Sequence, residues 1–139
     1  MADLETALRR YFERAAPRGV VAGYLFGSHA AGRPHRESDV DVAVLFDYAR
    51  LPDRGARARE AVRLNAEVVG ATHVNAVDLV ALNDAPPELA ATIVRDGRRV
   101  YCTDPALDAA FRRKALSRYA DIRPFLERTR RVKLEAIRS

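Results

Sequence analysis

A chain of 139 residues fits one domain, and at that length folding buries roughly two-thirds of the unfolded surface, enough for one compact core. With 48% hydrophobic and 31% charged residues the composition is that of a globular protein, which excludes a disordered, collagen-like or low-complexity chain. The net charge of +5 is unevenly placed: residues 105–139 carry ten basic and four acidic side chains, a balance of +6, so the first 104 residues sum to −1.

In chain order, Leu4, Leu8, Phe12 and Ala15 recur at helical spacing before Pro17 and Gly19, which predicts an amphipathic helix over 3–15. The run VVAGYLF at 20–26 is rich in β-branched and aromatic residues and meets Gly27-Ser28, a buried strand ending in a tight turn. His29-Ala30-Ala31 can open a short helical turn, and GRPHRES at 32–38 is a loop by composition. A second strand is expected over 39–46 (DVDVAVLF), then a helix over 53–69 with Asp53 as N-cap and Gly70 as stop. A third strand is expected over 74–82, a helix over 88–95 opened by Pro86-Pro87 and closed by Gly97, and a short strand over 99–102.

The remaining segment sets Leu107, Phe111, Ala115, Tyr119, Ile122 and Leu126 at steps of three or four, an apolar helical stripe that Pro124 should kink or interrupt. Tyr24, Tyr101 and the phenylalanines fall at strand or helix positions where packing is the ordinary role. The predicted fold is a mixed α/β (α+β) domain, helices on a small sheet, in residues 1–104, with a basic amphipathic helix in 105–139 packing on the domain or on a partner. The most apolar run is far shorter than the ~20 residues of a membrane span, and Asp3, Glu5 and Glu13 are unlike a leader. Cys102, the one cysteine, closes no internal disulfide and has no second thiol for zinc, so a cytoplasmic setting is expected.

The chemistry is concentrated in three acids. Asp39 and Asp41, two apart on a strand, point to one face about 6.6 Å apart along the chain, while Val40, Val42, Val44 and Phe46 form the core side. Two acids so placed repel each other, a cost that a bound cation removes. Asp78 interrupts the apolar NAVDLVAL, where an unpaired carboxylate inside a sheet is costly. If its strand lies beside 39–46, the three carboxylates meet, and such oxygen ligands suit Mg²⁺ with substrate phosphates. Gly27 lets a phosphate approach the backbone and the Ser28 hydroxyl can donate to it. Arg33 and Arg36 flank the same place and either clamp phosphate or form a solvated basic loop. His35 and His73 have no spaced partners for a metal.

Residues 27–41 read Gly-Ser, ten residues, Asp-Val-Asp. This GSx10DxD spacing resembles the minimal nucleotidyltransferases (MNT) of the DNA polymerase β-like superfamily; the match continues as VDVAVLFD and then as DLVALNDAPPELAATIVRDGRRVYCTD, which looks like the third strand and following helix of the small MNT proteins paired with HEPN toxins. The likeness covers residues 20–104. It implies the polymerase β palm-like fold, a triphosphate held at Gly27 and Ser28, Mg²⁺ ions, two by the family's mechanism, on Asp39 and Asp41, and Asp78 completing the metal site or accepting a proton. Many relatives read G-S-x-A-R-G; here Ala31 stands in place of the Arg, and His29, Arg33 or Arg36 would supply charge at that edge.

By the same resemblance, the chain is expected to be an antitoxin that transfers AMP from ATP to a tyrosine of a HEPN RNase toxin, docked through the basic tail. The alternatives are a binding-only antitoxin acting by occlusion, or a nucleotidyltransferase for a small molecule or an RNA end, the last with RNA held by the Arg-rich tail.

Overall fold

The computed structural model describes residues 3–27, 40–74 and 76–138. The expected helical turn at His29 and the loop at 32–38 lie outside these residues. Helix α1 (Leu4–Ala15) is capped by Asp3, whose carboxylate accepts from the Thr6 amide at 2.8 Å, and it buries Leu8, Tyr11 and Phe12. Strands β1 (Val20–Phe26) and β2 (Val40–Phe46) pair antiparallel, as do β1 and β4 (Arg98–Cys102). Strand β3 (Val77–Ala81) pairs parallel with β2, which requires a crossover, and α2 (Arg54–Thr72) supplies it. The sheet order is β3-β2-β1-β4.

Helices cover both faces. On one, Val40, Val42, Val44 and Phe46 of β2 pack with Phe12 of α1 and Leu64 and Val68 of α2. On the other, Ala43 and Leu45 pack with Ile93 and Val94 of α3 (Pro87–Asp96) and Ala115 of α4 (Pro105–Arg138). α1 comes so close to β1 that a side-chain carbon at Gly23 would fall 2.9 Å from the Phe12 ring. No described helix is long and apolar enough to cross a membrane.

Beyond shifts of a residue at several ends, three features differ from the sequence reading. α2 does not stop at Gly70 but runs to Thr72, and His73 takes the left-handed cap position with φ 58°, its amide donating to Val69 O at 3.0 Å. β3 is five residues and not the expected 74–82, because the chain tightens into a 3₁₀ turn at Leu82–Asp84. There the Asn83 side chain takes over the ladder, accepting from Phe46 N at 2.8 Å and donating to Phe46 O at 2.9 Å. α4 is continuous over 34 residues, so Pro124 does not interrupt it. Its ring leaves the carbonyl of Ala120 without a helical donor, and Ala120 is exposed, so water can satisfy that oxygen.

Two buried charged groups fasten the helices. Arg57 holds Asp84 through Nε and Nη2 at 3.0 and 2.9 Å and donates Nη1 to Leu51 O at 2.8 Å, which joins α2 to the turn after β3. Asp108 in the first turn of α4 is fully buried, accepting from Arg99 Nη1 at 2.8 Å and from the Tyr24 hydroxyl. Phe125 departs from the expected core role of the phenylalanines, being 65% exposed.

Candidate active site

The acids sit at the sheet end where β1 finishes and β2 and β3 begin. Asp41 is the second residue of β2 and Asp78 the second of β3, and the parallel register pairs them directly. Neighbouring strands lie about 4.8 Å apart, so both carboxylates leave the same face of the same end of the sheet. By alternation that face is the one on which Ala43, Leu45 and Val80 meet α3 and α4. On its other side Asp41 is opposite Phe26 of β1.

Gly27 follows Phe26 in the left-handed region, φ +77°, and a side-chain carbon there would overlap Asp41 Oδ2. The turn after β1 therefore passes directly under the Asp41 carboxylate. Only glycine allows both that conformation and that approach. Asp41 is half-buried and Asp78 exposed. The burial expected for Asp78 is not found: a strand of five residues at the sheet edge leaves its second side chain in solvent. Its place in the site rests on register rather than on a cost of desolvation.

The structure thus brings together Gly27, Asp41 and Asp78. Ser28, His29, Arg33, Arg36 and Asp39 lie outside the described residues, and so does Ala31. His73 is a helix cap, and Tyr101 stacks on Phe12 with ring centroids 5.2 Å apart, a packing role. Sequence reasoning missed the buried charges Arg57 and Asp108. The signals were an Arg one turn into α2 and an Asp four residues past the Asp104 cap, neither of which differs in pattern from a solvated charge.

The donor set fits a hard divalent cation. Two carboxylates in register, with no intervening strand, would repel each other in the absence of a cation, and oxygen donors of this kind suit Mg²⁺.

Residues 7–106 match the family described as Polymerase beta, Nucleotidyltransferase, and the chain belongs to that family. Its mixed sheet flanked by helices is the minimal nucleotidyltransferase fold. Over 96 residues it is 36% identical to the protein adenylyltransferase MntA of Shewanella oneidensis, a match taking in 69% of this chain and 63% of the length of that relative. A solved chain of a toxin-antitoxin with AMP-PNP is 29% identical, with a TM-score of 0.62 over 97% of this chain and 98% of the other. A tri-AMPylated Shewanella oneidensis HEPN toxin in complex with MNT antitoxin contains a chain 26% identical, with a TM-score of 0.62 over 98% of this chain and 97% of that one.

Proposed function

We propose that this chain is the antitoxin of a HEPN/MNT pair and an adenylyltransferase, moving AMP from ATP to a tyrosine of its HEPN RNase partner in the cytoplasm. The observation that carries the reading is the direct pairing of Asp41 with Asp78 above Gly27, within the Gly27-Ser28…Asp39-Val40-Asp41 spacing. Its support from relatives is the likeness to MntA and to chains from toxin-antitoxin complexes.

In this reading the backbone at Gly27 and the Ser28 hydroxyl receive the triphosphate, with Arg33 and Arg36 at its edge. Asp39, Asp41 and Asp78 would hold Mg²⁺, which when bound supplies positive charge at the attacking oxygen and the departing pyrophosphate. The acceptor tyrosine oxygen attacks the α-phosphorus, the bond from that phosphorus to the bridging oxygen breaks, and pyrophosphate leaves. The phenolic proton goes to Asp78, which is exposed and can pass it to water.

The test is intact mass of the chain and the product of the adjacent gene after incubation with ATP and Mg²⁺, beside Asp39→Ala/Asp41→Ala. AMP adducts on the partner with the native chain and a loss of at least ~100-fold in the variant are expected, since metal-borne charge contributes several kcal/mol. An unmodified partner held equally by both would overturn the transferase reading in favour of occlusion.

A further inference from the structure

We propose, resting on the partner assigned above, that one continuous face of α4 is the docking surface for an acidic, helical face of the partner protein. The face begins at a cavity of about 270 Å³ at the sheet end away from the acids, where β2 finishes, lined by Leu45, Leu82, Ala90, Phe111, Lys114 and Arg118. α4 contributes Leu107, Phe111, Lys114 and Arg118 to it at steps of four, three and four. The same stepping continues through Ile122, Phe125, Thr129 and Val132, so the cavity opens onto a single stripe along the helix.

Beyond the cavity that stripe loses its cover. A helix of 34 residues is about 51 Å long, whereas a strand of seven residues is about 23 Å, so α4 outruns the sheet on which it starts. Ile122 and Leu126 are still half-buried, but every residue from 127 to 137 is exposed, and Phe125 and Val132 are each 65% exposed on the stripe. The ion pair of Arg130 with Glu88 at 2.6 Å links this half to α3 without covering the apolar side chains. Two exposed large apolar side chains, Phe125 and Val132, in line with a cavity mark an interaction site.

The charge around the stripe selects the occupant. Lys114 and Arg118 stand on this face and Arg128 beside it, and none of their side chains forms a hydrogen bond or ion pair with another described residue. With residues 105–139 at +6, a second copy would set like charge against like. An amphipathic acidic helix instead offers an apolar side chain for the cavity and carboxylates for the rim. The anchor is thus separate from the acids: the partner is held along α4 and extends its acceptor to the other end of the sheet.

The experiment compares the native chain with Phe125→Glu/Val132→Glu, both at exposed positions, and with Lys114→Glu/Arg118→Glu, each titrated with the product of the adjacent gene. Circular dichroism and nucleotide binding monitor the fold, and AMP transfer is read separately. A fall in affinity of about 100-fold or more in either variant, with unchanged circular dichroism and ATP binding, is expected. Native-like affinity in both variants with AMP transfer intact overturns this assignment alone. Tight binding by the native chain without AMP transfer overturns the transferase reading and leaves the docking face standing. Loss of a homodimer in the variants, seen by light scattering, would reassign the face to a second copy and overturn the proposal.

Discussion

At Gly27 the backbone conformation and the neighbouring acid make the same demand, and alanine meets neither. An L-residue at φ +77° costs about 1–2 kcal/mol, and its Cβ would displace the Asp41 carboxylate. Gly27→Ala should therefore lower the melting temperature by only a few degrees while AMP transfer falls at least ~10-fold, measured on the same preparation. Transfer at the native rate would mean that the placement of Asp41 over the turn is not needed. This pairing of turn and acid was legible as spacing, because a glycine just after a strand and an acid opening the next one have few ways to meet. The exposure of Asp78 was not legible, since hydropathy runs smoothly through 74–82 and gives no sign that the ladder ends early. What ends it is Asn83, an ordinary turn residue by type, whose amide happens to reach both backbone groups of Phe46.

Between elements, α4 is tied to the sheet by Asp108, which accepts from Tyr24 and Arg99. Burial first, and then the hydrogen bond to Asp108, push the Tyr24 phenol far above its usual range; Tyr11 is raised in the same way by burial and by Glu67. In the unfolded chain both phenols ionise near pH 10. The stability they contribute is thus complete below about pH 10 and is lost as pH climbs from there toward the raised folded values. Above pH 10 the free energy of urea unfolding should drop by up to about 1.4 kcal/mol per pH unit for each such tyrosine, and Tyr24→Phe should remove the share of that slope that Tyr24 contributes. An identical alkaline slope in the variant would show that Tyr24 ionises freely in the native state. The order of elements was readable from periodicity throughout, because alternation in the strands and three-to-four spacing in the helices are long-range averages. Single ends were not: His73 caps α2 where Gly70 was the obvious stop, and the water-exposed side of α4 tolerates Pro124.

For the molecule as a whole, net charge is unevenly placed along the chain, and that placement predicts how association responds to salt. The first 104 residues are near neutrality, at −1, while residues 105–139, most of them in α4, carry +6. The rim cations of α4 are exposed, so they attract an acidic partner over distances comparable with the Debye length, about 10 Å at 0.1 M salt and 3 Å at 1 M. Apolar contacts at Phe125 and Val132 form only after encounter and are not screened in this way. Raising the salt from 0.05 to 0.5 M should therefore slow association of chain and partner by about 10-fold or more and change the dissociation rate much less, as followed by stopped-flow fluorescence. In Lys114→Glu/Arg118→Glu the association rate should begin low and lose most of that salt dependence. In Phe125→Glu/Val132→Glu the dissociation rate should rise in addition, because the apolar contact is missing. If salt instead acted mainly on dissociation in the native chain, the charges would lie inside the finished interface, buried against acidic groups, and the rim geometry of Lys114, Arg118 and Arg128 would not be the one that guides the partner in.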